Sequence, residues 1–210
     1  MLQCKQISQA FQNRLILNEV SFTLETTKHL LVLGPSGCGK TTLLFILAGL
    51  HNPDKGAVYY DETNLYDLKE EERDRFRGHH IGIIFQAFHL IKILSVKQNL
   101  LLTQTLSGQS TDESRINDML ERLDLADKMD QKAMSLSIGE AQRLAVARAV
   151  IGNPKWILCD EPTSALDDDH AGKMLTLLQQ EATRCQASLI IVTHDRRVRS
   201  SFDAHNIMQM

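Results

Sequence analysis

The segment HLLVLGPSGCGKTTLLFILAGL, His29–Leu50, constrains the fold more than any other. A short apolar run ends in a loop that satisfies G-x-x-x-x-G-K-[ST] over Gly34–Thr41, and a second apolar run of helical composition follows. Strand, glycine-rich loop and helix make an α/β unit, so a parallel sheet with helices packed on it is expected. The loop has its own chemistry. Glycines at 34, 37 and 39 let successive backbone N–H groups turn inward toward phosphate oxygens, and the helix that follows adds its positive end. Lys40 is expected to reach terminal phosphates and the Thr41 hydroxyl to ligate Mg²⁺. A flexible loop that merely caps a helix would explain neither the lysine nor the threonine.

A chain of 210 residues holds one substantial core and is short for two ordinary domains. Its 43% hydrophobic and 23% charged residues are those of a globular protein. A net charge of -3 gives no bulk attraction to nucleic acid or anionic lipid, so no nucleic-acid partner is expected and anion binding must be local. The longest apolar run, TLLFILAGL, falls far short of the ~20 residues of a membrane-crossing helix. The start MLQCKQISQAFQ lacks the order of a secretory signal, which points to a cytoplasmic chain. Cysteines at 4, 38, 159 and 185 lack metal-ligand spacing and are expected to be free thiols, and the histidines form no zinc set.

Along the chain, ILNEVSFTL, HLLVL and GAVYY read as strands, with the first segments able to form a small antiparallel sheet beside the parallel one. LKEEERDRFR reads as a solvated helix. HIGIIF is a strand candidate, after which SVKQNLLLTQTL and TDESRINDMLERLDL read as consecutive helices. The second of these has an acidic start at Asp112 and Glu113 and apolar positions at Ile116, Met119, Leu120 and Leu123. This strand-poor middle third is expected to be a helical subdomain. From Gly139 onward helix and strand alternate again, with DRRVRSSF expected to begin a helix.

WILCDEP, Trp156–Pro162, places Asp160 at the end of an apolar strand and Glu161 just beyond it. Ligands of open α/β sheets bind at that edge. Asp160 can hold Mg²⁺ through water, and Glu161 can orient or deprotonate a water for in-line attack on a γ-phosphate. Gln86, after the apolar run GIIF, and His194, after SLIIV, stand at further strand exits, the amide able to reach metal and water and the imidazole able to donate to the γ-phosphate. An acidic turn and a buried structural histidine are the plain alternatives for the Asp160–Glu161 pair and for His194.

In order and spacing these motifs resemble those of the ATP-binding subunits of ATP-binding cassette transporters. GPSGCGKT resembles Walker A, Gln86 the Q-loop glutamine, LSIGE (Leu136–Glu140) the signature, ILCDE Walker B, SALD (Ser164–Asp167) the D-loop, and His194 the switch histidine. Phe11 matches an aromatic position whose ring stacks on adenine. The resemblance covers nearly the whole chain. It implies one P-loop NTPase domain over residues 1–210, with a RecA-like core, an antiparallel β subdomain and an inserted helical subdomain over about 88–150.

It further implies ATP and Mg²⁺, a homodimer or paired ATPase subunit, integral membrane permease subunits, and a place on the cytoplasmic side of the inner membrane. Glu161, His194 and Gln86 would be catalytic, and Thr41, Gln86 and Asp160 would hold the metal. Phe11, Gly34, Pro35, Ser36, Gly37, Cys38, Gly39, Lys40, Thr41 and Thr42 would hold ATP from one chain. Ser137, Gly139, Glu140 and Asp167 would close over ATP in a head-to-tail pair. The signature departs from the family at Ile138, where glycine is usual and a branched residue removes access to positive φ. HNIMQM resembles a strand that the family follows with a turn and another short strand, so by comparison a shorter last pairing with exposed or frayed final residues is expected.

Compact length, the LKEEERDRFRGHHIGIIFQAFHLI passage and the GEAQR signature are most similar to the lipoprotein-releasing and macrolide-exporting group. Phe88, His89, Leu90 and Ile91 would then lie near the surface that accepts the membrane subunit, or else belong to the core of the helical region. An importer ATPase, a soluble ATP-dependent switch and a non-enzymatic interaction module are the other function classes; Lys40, Asp160 and Glu161 argue against the last.

Overall fold

The computed structural model describes residues 1–12, 14–164, 166–203 and 206–210. Strands β1 (Leu2–Phe11), β2 (Arg14–Leu24), β4 (Lys55–Tyr60) and β5 (Thr63–Asn64) form an antiparallel sheet in the order β2-β1-β4-β5. The second sheet, β6-β7-β8-β3-β9, comprises β6 (Ile81–Ile84), β7 (Trp156–Asp160), β8 (Ser188–Thr193), β3 (Leu30–Leu33) and β9 (Ile207–Gln209), and every pairing in it is parallel.

The central strands have apolar residues on both faces because both faces are covered. Leu31, Leu33, Ile157, Cys159, Leu189 and Ile191 point into one core, while Leu30, Val32, Trp156, Leu158, Ile190 and Val192 point into the other. That division is the two-residue alternation of a pleated strand. The second core is closed by α1 (Lys40–Leu47) and the antiparallel sheet. The first is closed by α3 (Val96–Leu106), α4 (Glu113–Arg122), α5 (Ile138–Val150) and α6 (Asp168–Arg184). Gly82 lets α5 approach β6, because a Cβ there would lie 2.1 Å from the Ala149 carbonyl oxygen.

The helix starts are written in the sequence as acceptor side chains. Ser95, Asp112, Ser137 and Asp167 each accept a hydrogen bond from a backbone N–H in the first turn of α3, α4, α5 and α6. Helix α2 (Glu70–His80) has no buried residue, as a solvated charged helix should. Ile116, Met119, Leu120 and Leu123 are all buried, in agreement with the periodicity of α4.

Residues Arg196–Ser201 form the expected helix, as a 3-10 helix whose first turn is capped by Asp195. One local reading differs from the structure. The last residues do not fray: β9 pairs with β3, the Met210 N–H donates to the Leu33 carbonyl at 2.8 Å, and Met208 and Met210 pack on the core. An open edge of β3 supplies the backbone partners that hold them. The four cysteines are free thiols, and among the described residues no helix is long and apolar enough to cross a membrane.

Candidate active site

The loop between β3 and α1 can take its course only with glycine at 39, where φ is +102° and a Cβ would lie 2.8 Å from side-chain atoms of Ile16 and Leu17. The loop opens on a cavity of about 360 Å³. Phe11, Ile16, Ser36, Gly37, Gly39, Lys40, Thr41, Thr42, Gln86, Glu161 and His194 line it. Residues as far apart in sequence as Ser36 and His194 thus meet at one sheet edge because β3, β6, β7 and β8 are parallel neighbours in one sheet and end on the same side.

Lys40 is buried and its ammonium donates to the carbonyls of Gly34 at 2.9 Å and Pro35 at 3.0 Å, with Glu161 Oε1 at 3.6 Å. A buried ammonium takes the nearest acceptors, so here Lys40 folds back on its own loop instead of reaching into the cavity. The Thr41 hydroxyl donates to Asp160 Oδ1 at 3.0 Å. Burial pushes the Asp160 carboxyl above its ordinary range, against the opposing Thr41 hydrogen bond.

Glu161 leaves the end of β7 with φ +50°, a left-handed backbone uncommon for a residue with a side chain. Its carboxylate accepts from Thr193 Oγ1 at 2.6 Å, from the His194 backbone N–H at 3.1 Å, and faces His194 Nδ1 at 2.9 Å. Burial pushes this carboxyl up, but the donors from Thr193 and His194 outweigh it and hold it below its ordinary range. Glu161 is therefore an ionised acceptor held at the cavity wall.

Phe11 is 45% exposed, with its ring 5.4 Å from that of His51, and it forms an open aromatic shelf at the cavity rim. Cys38 and Pro35 belong to the same loop but do not line this cavity. Nor do Ser137, Gly139, Glu140 and Asp167. Ser137 and Glu140 close on each other at the start of α5: Ser137 N–H and Oγ each donate to Glu140 Oε2 at 2.8 Å, and the Glu140 N–H donates to Ser137 Oγ at 3.3 Å. This is a capping box. Asp167 caps α6 and faces His170. Of the SALD motif, Ala165 lies outside the described residues.

The expected backbone problem at Ile138 is absent. Ile138 is the first residue of α5, and neither it nor Gly139 has a positive φ. A Cβ at Gly139 would meet only Arg143 Nη1, at 3.7 Å. The position asks for helical backbone that a branched residue can adopt; what Ile138 adds is a side chain that is 71% exposed.

Sequence reasoning missed two supports. Arg148 of α5 donates to the Phe88 carbonyl at 2.6 Å and also to that of His89, holding the loop after Gln86, where both residues have positive φ. Thr193 Oγ1 clamps Glu161. The only sequence signal for either was a polar residue within an apolar helix or at a strand end.

A phosphate loop after β3 at the edge of a parallel sheet, facing carboxylates from the end of β7 two strands away, defines a RecA-like P-loop NTPase core. A family model described as ABC transporter matches residues 17–164, and the chain belongs to that family. It is 33% identical over 209 residues to the lipoprotein-releasing system ATP-binding protein LolD of Colwellia psychrerythraea, covering 97% of this chain and 81% of that protein. It is 37% identical over 196 residues to the putative hemin import ATP-binding protein HrtA of Staphylococcus aureus, covering 92% and 88%. Among solved structures, a dimeric bacterial ABC transporter cassette superposes with a TM-score of 0.87 at 31% identity, over 100% of this chain and 94% of that one. A dimeric post-hydrolysis cassette bound to ADP and Pi gives 0.85 at 32% identity, over 94% and 90%.

The chain is thus an ABC ATPase, and the fold implies ATP as substrate with Mg²⁺. Magnesium fits the donors present: one hydroxyl and one carboxylate side by side, Thr41 and Asp160, with no group of three or more His, Cys, Asp or Glu placed to hold a metal ion by themselves among the described residues. Such a sparse set suits a metal that keeps waters and binds substrate phosphates.

Proposed function

We propose that this ATPase drives a membrane permease of the lipoprotein-releasing or macrolide-exporting type from the cytoplasmic side of the inner membrane, as one of a head-to-tail pair. Residues 1–210 form one ABC ATPase domain, with a helical subdomain over about 88–150. The convergence of Lys40, Thr41, Gln86, Glu161 and His194 on one cavity carries the reading.

In the proposed cycle, Phe11 stacks on adenine while the loop from Gly34 to Thr42 wraps the phosphates with its N–H groups. Lys40 leaves the Gly34 and Pro35 carbonyls for the terminal phosphates. Thr41, Gln86 and Asp160 hold Mg²⁺, which neutralises phosphate charge when bound. Glu161, an ionised acceptor, takes a proton from the attacking water, and His194 donates to the γ-phosphate. Ser137, Gly139 and Glu140, with Asp167 nearby, close over the nucleotide of the paired chain. The dimeric cassettes at TM-scores of 0.85 and 0.87 support the pairing.

The permease would dock in a groove of about 610 Å³ between α2, β6, α3 and α5, lined by Phe85, His89, Leu106 and Arg148 among others. Phe88, His89, Leu90 and Ile91 form its neighbouring loop, where Leu90 packs against the core and Ile91 is exposed. LolD is one relative; another is the macrolide export ATP-binding/permease protein MacB of Campylobacter jejuni, 36% identical over 94% of this chain but only 31% of that protein.

The HrtA relative favours a second reading, an importer ATPase. ATP turnover of the chain, measured with a candidate permease in vesicles, separates them. A permease of few spans and a large extracytoplasmic segment should stimulate turnover, and Ile91→Glu should abolish the stimulation while leaving basal turnover unchanged. Stimulation only by a many-span permease would favour the importer.

A further inference from the structure

Arg197 takes no part in the cavity, yet its guanidinium joins two segments that border it. Nε donates to Asp195 Oδ1 and Nη2 to Asp195 Oδ2, each at 2.8 Å, while Nη1 donates to Asp168 Oδ1 at 2.5 Å and Nη2 also to the Leu166 carbonyl at 3.2 Å. Leu166 and Asp168 flank the start of α6, whereas Asp195 follows His194 at the end of β8. Buried Val198 fixes the 3-10 turn so that Arg197 faces these acceptors.

The network continues inward. Asp195 Oδ2 accepts from the buried Thr163 hydroxyl at 2.8 Å, and the Asp195 N–H donates to Thr193 Oγ1 at 3.0 Å. That same Thr193 hydroxyl donates to Glu161 Oε2 at 2.6 Å. Thus a path runs from Leu166 and Asp168 to the Glu161 carboxylate through hydrogen bonds of Arg197, Asp195 and Thr193, crossing Asp195 itself through its covalent frame from carboxylate to backbone N–H.

We infer that Arg197 is a positioning residue for ATP hydrolysis, locking the start of α6 to the end of β8 and thereby fixing the Glu161 carboxylate. Its planar fork engages two carboxyl oxygens of Asp195, one of Asp168 and a carbonyl together, which a lysine ammonium cannot reproduce. Arg196, exposed beside it, has no part in these contacts. The inference rests on Glu161 being the acceptor for the attacking water, and a small displacement of such an acceptor lowers turnover steeply while leaving phosphate binding in place.

The test measures steady-state ATP turnover and fluorescent-nucleotide affinity for Arg197→Ala, Arg197→Lys, Arg196→Ala and Glu161→Gln in the full chain. Arg197→Ala should lower kcat about tenfold with KM and nucleotide affinity within about twofold, Arg197→Lys should recover part of the loss, and Arg196→Ala should match wild type. If Arg197→Ala does not fold, the split between kcat and KM is read on Arg197→Lys, with a loss of about threefold expected. Wild-type kcat in Arg197→Ala, or a loss of nucleotide affinity as large as the loss of kcat, would overturn the assignment. Normal turnover in Glu161→Gln would instead remove the reading on which it rests.

Discussion

The phosphate loop and the start of α5 carry polar residues at helix N-termini, but they stand in opposite situations. At the loop, Lys40 is buried and Glu161 half-buried, and Gln86 and His194 from separate strand ends face the same cavity. At the start of α5, Ser137 and Glu140 satisfy one another, and Ile138 projects from the protein. The first region collects its partners from the whole sheet; the second finds, among the described residues, only Lys128 beyond its own first turn, 3.9 Å from Glu140 Oε1. A polar constellation assembled from distant strands is a site within one chain, whereas an exposed helix start with its groups spent on self-capping gains a ligand only from another molecule.

Changes at the two regions should therefore separate binding from turnover. The largest effect is expected for Glu161→Gln, with ATP turnover reduced at least about 100-fold and nucleotide still bound. Unaltered turnover would show that another group accepts the proton. Next, Ser137→Ala should leave nucleotide affinity of dilute chain within about twofold, yet lower turnover by about tenfold or more at high protein concentration. Loss of the cap should also cost about 1 kcal/mol and lower Tm by about 3 °C. Equal loss of affinity and turnover in dilute chain would erase the distinction between the regions.

A third prediction concerns charge. The Arg197 guanidinium beside Asp195 holds that carboxyl down at about 2, below the ordinary value near 3.8. A depressed folded-state value means the stabilisation is present above the unfolded value and lost as pH falls from about 4 toward 2. Arg197→Ala should consequently shift the acid unfolding midpoint upward, seen by circular dichroism; an unshifted midpoint would contradict the contact.

For Asp160 the sign is opposite. Its folded-state value is raised, so the ionised group opposes folding at neutral pH and the penalty is relieved on acidification. Asp160→Asn should raise the Tm of the nucleotide-free chain by about 2 °C. A fall in Tm would mean that the Thr41 contact outweighs the burial penalty. The smallest effect is expected for Ile138→Gly, which should lower Tm by about 2 °C through helix propensity and leave nucleotide affinity unchanged.

Much of this contrast was legible in the sequence. GPSGCGKT between two apolar runs and Asp160–Glu161 at a strand end combine chemistry with local pattern, and both survive into the three-dimensional arrangement. Ser137 and Glu140 were legible as a helix start for the same reason. What stayed hidden depends on partners distant in sequence. Lys40 folding back on Gly34 and Pro35 reflects local burial, and the positive φ of Glu161 reflects the path from β7 to α6. Arg197 lay within DRRVRSSF, read only as a helix start, and its partner Asp168, 29 residues earlier, is brought to it by the fold. Chain-end pairing required knowing that β3 had a free edge.

Mixing two defective chains tests the central contrast most directly. Lys40→Ala spoils the phosphate loop and keeps the α5 start, while Ser137→Ala does the reverse; ATP turnover is measured for each alone and for an equimolar mixture. In a head-to-tail pair half of the dimers would be mixed, each with one intact site, so turnover should return to about a quarter of wild type if sites act independently. Turnover of the mixture equal to the mean of the separate chains would contradict the account.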